Sequence, residues 1–280
     1  MKILITGSKG QLGNALQETL KNDELHLIDL PEHDLTSFPA TMSRFLQVNP
    51  EIVIHCAAKT QVDDCESKPE EAYWANVMAT KHVVNACQAV DATLVYVSTD
   101  YVFDGMGTRP YREYDPCNPP SVYGKTKWQG EEIVKTHLQR FYIARTAWLF
   151  GDVGHNIVKT VLKLAQEQKL LKFVNDQTGC PTYATDLAAA IARLIQTNAF
   201  GIYHITNEGQ CTWFEFVQEI LEAAGIKETR VEPISSVELN RPAPRPHYSV
   251  LAKDGLQSLG IEMPVYQDAL ARFLKRYSNF

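Results

Sequence analysis

The segment Ile5–Gly13, "ITGSKGQLG", closes an apolar run and sets Gly7, Gly10 and Gly13 in a G-x-x-G-x-x-G array. Glycines in that pattern, directly after a strand and at the opening of a helix, permit a tight turn and close approach of backbone to a pyrophosphate. They also allow tight helix-to-strand packing, while the helix N-terminus favours negative charge. Strand, loop and helix follow in that order from residue 2, which predicts a dinucleotide site at the head of the chain.

Working outward, the runs "KILITG", "LHLIDL", "IVIHCA", "TLVYVST" and "FYIARTAWLF" alternate with stretches of helical period. Nearly all-apolar strands separated by crossover helices predict an α/β fold, a Rossmann-type doubly wound parallel sheet buried on both faces. Right-handed crossovers then put ligand chemistry at the carboxyl ends of the strands. The second strand ends in Asp29, sixteen residues past Gly13, where a carboxylate accepts from ribose hydroxyls and favours NADH over NADPH, with Lys9 offsetting part of the repulsion of a 2′-phosphate. Asp34 reads equally as a helix cap or as a contact to adenine. The third strand ends in small Ala57 and Ala58, and the fourth in "VSTDYVF".

After Gly151 the rhythm changes: a helix from about His155 to Gln168, the short run "LLKFV", the turn "NDQTGCPTY", and a helix capped by Thr185 and Asp186. A strand "GIYHITN", an amphipathic helix around Thr212–Ala224, the segment "NRPAPRPHY" and a final helix near Val265–Arg276 complete the chain. The expected organisation is a dinucleotide-binding domain at 1–150, to which 182–207 return, and a smaller α/β substrate-binding lobe formed by 151–181 and 208–280.

The 280 residues are 45% hydrophobic, ample for a sizeable core, and carry a net charge of −6 without a basic run that would track phosphates. Nucleic acid is therefore excluded as the expected partner. The start "MKILITGSKG" enters a strand directly, and no apolar run approaches the ~20 residues that span a bilayer, so neither secretion nor membrane insertion is expected. Cys56, Cys65, Cys87, Cys117, Cys180 and Cys211 are scattered without a C-x-x-C pair, which fits reduced thiols in a cytoplasm and no metal framework.

In "SVYGKTKW" (121–128), Tyr123 and Lys127 stand four residues apart on what reads as an opening helix, and so share a face. A phenol titrates near 10, and an adjacent ammonium favours its phenolate, which brings proton transfer toward neutral pH. A hydroxyl on the preceding strand would complete the site. Ser98 and Thr99 are both candidates, and alternation along a strand lets one of them face it.

Glycine array, strand-end "STD" and "YGKTK" together resemble the extended short-chain dehydrogenase/reductases. "TGSKGQLG", "CAAKTQVD", "VSTDYVFDG", "NPPSVYGKTKWQGE", "RTAWLFG", "DQTGCPTY" and "RPHYSVL" resemble, more narrowly, the dTDP-4-dehydrorhamnose reductase family, over residues 2 to about 275. The resemblance implies that Tyr123 protonates the C4 oxygen as hydride from NADPH or NADH reaches C4, that Lys127 lowers the tyrosine pKa and holds the nicotinamide ribose, and that Thr99 is the hydroxyl member. It implies a small-molecule substrate, dTDP-4-dehydro-L-rhamnose, contacted by Asp100 and Trp148, with Tyr101, Asn156 and Arg245 as further contacts, Arg245 for the pyrophosphate. Gly10, Gln11, Leu12, Asp29, Asp34, Leu35, Ala58, Lys59, Thr60 and Val97 match cofactor positions. Two departures stand out. Asn14 and Ala15 replace the glutamate with which some members bind magnesium at a dimer contact, so a monomer or weak homodimer is expected, and Lys59 stands where an aromatic or histidine is frequent. The alternatives are a non-catalytic regulatory subunit like the methionine adenosyltransferase beta subunit, which turnover would separate, and a nucleotide-sugar epimerase or dehydratase. A dehydratase would want an acidic pair where Thr99 and Asp100 stand.

Overall fold

A computed structural model describes residues 1–277. In chain order the first half comprises β1 (Lys2–Thr6), α1 (Gln11–Thr19), β2 (Glu24–Ile28), α2 (Phe38–Val48), β3 (Ile52–His55), α3 (Val62–Ser67), α4 (Pro69–Tyr73), α5 (Ala79–Ala89), β4 (Thr93–Thr99), α6 (Val122–His137) and β5 (Phe141–Thr146). The second half comprises β6 (Leu149–Phe150), α7 (Ile157–Glu167), β7 (Leu170–Val174), β8 (Thr178–Gly179), β9 (Thr182–Tyr183), α8 (Ala184–Leu194) and β10 (Gly201–His204). It continues with β11 (Cys211–Thr212), α9 (Trp213–Ala223), β12 (Arg230–Ile234), α10 (Ser236–Leu239), α11 (Asp254–Ser258) and α12 (Tyr266–Tyr277).

The apolar runs pair as one six-stranded parallel sheet in the order β10-β5-β4-β3-β1-β2. The order reverses between β1 and β3, and a doubly wound sheet opens its ligand crevice at such a switch point. Leu4, Val53, Leu94 and Ile143 point to one face, covered by Phe45 of α2, Val83 and Val84 of α5 and Val134 of α6. Ile3, Ile5, Ile54 and Tyr142 point to the other, covered by Leu12 and Leu16 of α1 and Leu187, Ile191 and Leu194 of α8. Burial on both faces is why these strands read as continuous apolar runs. The expected doubly wound architecture is therefore present.

A third apolar cluster joins Phe150, Val158 and Val161 of α7, Phe216 and Ile220 of α9, and Phe273 of α12. Beside it lie two-stranded pairings, β7 with β12, β8 with β11 and β6 with β9. Leu256, Ile261 and Met263 instead pack in the cluster of α1 and α8.

Two local expectations change, and one element is added. The run "FYIARTAWLF" is two strands, because Trp148 adopts φ +47, a left-handed backbone that ends β5 and turns the chain toward β6. Helix α8 is capped from Tyr183, without a side-chain cap, rather than from Thr185. Residues 230–234, unassigned from sequence, form β12 beside β7. Among the described residues no helix is long and apolar enough to cross a membrane.

Candidate active site

The strand ends surround a cleft of about 1020 Å³ lined by the loops after β1, β2, β3, β4 and β5. Gly7, Gly10, Gln11, Leu12 and Gly13 form one wall, Asp29, Asp34 and Leu35 the adjoining end, and Ala58, Lys59, Thr60 and Val97 the middle. Thr99, Asp100, Tyr101, Tyr123, Lys127 and Trp148 line the remainder.

The glycine loop fits a pyrophosphate by its own packing. Gly7 has φ +65, and a Cβ there would meet Ala57 N at 2.6 Å; one on Gly13 would meet Gly7 O at 2.3 Å. The backbone thus closes where side chains are forbidden, and the first turn of α1 lines the cleft, where a helix N-terminus favours an anion. The Asp29 carboxylate is already engaged: Oδ2 accepts from Lys9 N at 2.7 Å and Oδ1 from Leu30 N at 2.8 Å. It holds the loop as well as facing the cleft. Lys9 Nζ is spent on Leu30 O and Glu32. The Asp34 Oδ1 accepts from Thr36 N and Oγ1, the arrangement of a local turn cap.

Tyr123 occupies the first turn of α6, whose cap is Ser121 accepting from Gly124 N at 3.1 Å. The helix sits close to the turn after β4: a Cβ on Gly124 would lie 2.2 Å from Tyr101 O. That approach sets the Tyr123 ring edge-on to Tyr101, centroids 5.5 Å apart. Of the two strand hydroxyls, Thr99 faces the site. Its hydroxyl acts on the Tyr123 phenol and donates to Asp100 Oδ1 at 2.9 Å, whereas Ser98 turns inward to Glu131.

Burial dominates the electrostatics here. It pushes the Tyr123 phenol well above its ordinary range, with Thr99 acting to lower it and Asp100 to raise it. The expectation that Lys127 lowers this pKa is not met in the cleft as it stands, because a desolvated phenol resists ionisation more than its neighbours favour it. The phenol is therefore a held proton. Burial likewise pulls the Lys127 amine down to about 7, against Glu131 and Cys56, and its Nζ lies 4.1 Å from the Tyr96 ring centroid. Asp100 is pushed up to about 6 by burial. Its Oδ2 is buried, and the hydroxyls of Ser249 and Thr99 act against burial to lower the carboxyl.

Two expected contacts do not line the cleft. Asn156 caps α7, accepting from Lys159 N at 3.1 Å and donating to Gly151 O and Gln11 Oε1. Arg245 is held by Asp63 through Nη1–Oδ1 at 2.7 Å and Nη2–Oδ2 at 2.8 Å. Lys59 is drawn to Asp64 and Glu71. Conversely, Trp213 enters the cleft unannounced, stacked on Trp148. Asn76 was also missed: from a π-helical turn, Trp74–Met78, it accepts from Lys59 N and donates to Lys59 O, fixing the strand-end backbone.

A doubly wound sheet with this glycine loop, and a tyrosine and lysine one helical turn apart beside a strand-end threonine, defines a nicotinamide-nucleotide oxidoreductase of the short-chain dehydrogenase/reductase class. The family model described as "RmlD substrate binding domain" matches residues 1–279. The spore coat polysaccharide biosynthesis protein SpsK of Bacillus subtilis is 38% identical over 99% of this chain and 98% of its own. The dTDP-4-dehydrorhamnose reductase of Streptomyces griseus is 40% identical over 92% and 88%. Among solved structures, a dTDP-4-dehydrorhamnose reductase of Clostridium acetobutylicum superposes with TM-score 0.96 at 41% identity, covering 99% of this chain and 100% of that one. One from Bacillus anthracis, in complex with NADP, gives 0.96 at 39% with the same coverage. The chain belongs to the RmlD family, that of the dTDP-4-dehydrorhamnose reductases.

Proposed function

We propose that the protein reduces the C4 keto group of dTDP-4-dehydro-β-L-rhamnose to give dTDP-L-rhamnose for polysaccharide synthesis, using NADPH or NADH. The observation that carries this reading is the convergence of Thr99, Asp100 and Tyr123 in the cleft that begins at the glycine loop. The reduced nicotinamide supplies hydride to C4. Tyr123 Oη, protonated because it is buried, delivers its proton to the oxyanion forming at O4. Thr99 Oγ1 orients the same oxygen, and Lys127 stabilises the charge left on the tyrosine.

Asp100, in the wall of the cleft, meets the sugar, and Trp148 with Trp213 covers an apolar face of the sugar nucleotide. Gly7–Gly13 and the N-terminus of α1 hold the pyrophosphate of the cofactor. The capture of Asp29 by loop amides removes the argument for NADH alone, since its charge is already partly satisfied. Division into a dinucleotide-binding part (1–150 with 182–207) and a substrate lobe (151–181 with 208–280) is supported by the separate apolar cluster of α7, α9 and α12; α11, packed with the first part, is the exception. A cytoplasmic monomer or weak homodimer, without nucleic-acid or membrane partners, completes the reading.

The test is a cofactor-oxidation assay. Purified protein oxidises NADPH or NADH only when dTDP-4-dehydro-L-rhamnose is supplied. No turnover with either cofactor, alongside intact nucleotide binding, would favour a regulatory subunit instead.

A further inference from the structure

One turn beyond Lys127, α6 carries a second ionisable residue that the reduction does not use. Glu131 and Arg145 of β5 form an ion pair with side chains 0% and 1% exposed. Glu131 Oε1 accepts from Ser98 Oγ at 2.5 Å and from Arg145 Nε at 2.9 Å, and Oε2 accepts from Arg145 Nη2 at 2.6 Å. Arg145 directs its other contacts to Glu113 O, Cys117 Sγ and His204 Nε2. Such a pair is a poor device for stability alone, because desolvation cancels most of its attraction and apolar residues of similar volume serve as well.

Its position supplies another reason. Lys127 and Glu131 are four residues apart in α6 and share a face. The groups acting on or lying against the Lys127 amine are Tyr96 from β4, His55 and Cys56 at the end of β3, and Glu131 from α6. Burial keeps His55 neutral, down at about 3, pushes Cys56 up to about 12 and raises the Tyr96 phenol well above its ordinary range. Among the described residues Glu131 is thus the anion that opposes loss of the lysine proton, and it acts without touching the amine.

We propose that Glu131 is a positioning residue for Lys127: clamped as a carboxylate by Arg145 and Ser98, it keeps the neighbouring amine protonated and seated over Tyr96 while reduction proceeds. The inference rests on the reading of Lys127 as the cation of the site.

The test is the pH profile of kcat/KM. In Glu131→Gln the alkaline limb, where Lys127 loses its proton, moves to lower pH by about one unit, a tenfold loss at a pH above it. Because that variant strands a buried guanidinium, the paired variant Glu131→Leu with Arg145→Met is measured beside it, and Glu131→Asp, which keeps the charge, restores the limb. A folded paired variant with the wild-type limb overturns the proposal. So does a paired variant that will not fold, since the pair would then serve the core. Lys127→Met separates the layers: if it keeps full activity the reading of the site fails, and if it is inactive while the limb of the Glu131 variants stays at the wild-type pH, the role of Glu131 alone fails.

Discussion

Trp148 stacks on Trp213 with ring centroids 3.5 Å apart and planes 6° from parallel. The first indole is presented by a left-handed backbone at φ +47, and the second by the first turn of α9, fixed by the capping box of Thr212 and Glu215. Non-glycine residues held in that backbone region cluster at ligand sites, where the surrounding structure over-determines them. A stacked aromatic pair contributes about 0.5–1.5 kcal/mol beyond area burial. Trp213→Ala should therefore raise KM for the sugar nucleotide up to about tenfold and leave KM for NADPH unchanged. Steady-state kinetics with each substrate varied in turn decides it; equal changes in both constants would place Trp213 in the core alone.

Asp63 on α3 ties down the segment that carries Arg245, accepting from both guanidinium nitrogens and from Ala243 N. The guanidinium holds its carboxyl below the usual carboxylate range. Asp63→Ala should cost about 1 kcal/mol, as a partly exposed bidentate pair does, and should speed proteolysis within residues 240–248 while sparing cofactor affinity. Unchanged cleavage would mean that the strap is held elsewhere.

Acid should unfold the protein through its buried histidines. His55 lies between Thr6 and Thr80, and His204 between Ala252 O and Arg145; burial lowers both to about 3. The unfolded chain takes up these two protons below about 6.5 and the folded chain refuses them, so their contribution is full above 6.5 and is lost as pH falls toward 3. Asp100, raised to about 6, acts in the opposite sense between 6 and its ordinary value and offsets one of them. The net loss is about 1.4 kcal/mol per pH unit between 6 and 4. Thermal melts across that range should show the decline, and His204→Gln should flatten it; an unaltered slope in the variant would exclude His204 as a source.

The features that sequence made legible were local ones. The glycine array is read from spacing, the buried strands from unbroken apolar runs, and the Tyr123–Lys127 face from helical period. What escaped depends on contacts between distant segments. Arg245 is free or captured according to Asp63, 182 positions away. The Asp29 oxygens are claimed by backbone amides that carry no residue signature. Trp213 reads as one apolar position of an amphipathic helix until β11 pairs with β8 and brings it to Trp148. Asn156, expected as a substrate contact in a helix from about His155, instead caps the helix that starts at Ile157. Burial of Tyr123 reverses the expected direction of its pKa, and burial is a property of the assembled cleft.

The central claim is that Tyr123 donates the proton that completes reduction of the keto group. Its most direct test is Tyr123→Phe, which removes the hydroxyl and keeps the ring against Tyr101. With dTDP-4-dehydro-L-rhamnose and NADPH, kcat should fall by about 10²-fold or more, the scale of a lost general acid, while the dissociation constant for NADPH stays within about twofold by fluorescence titration. Turnover at the wild-type rate would contradict the account.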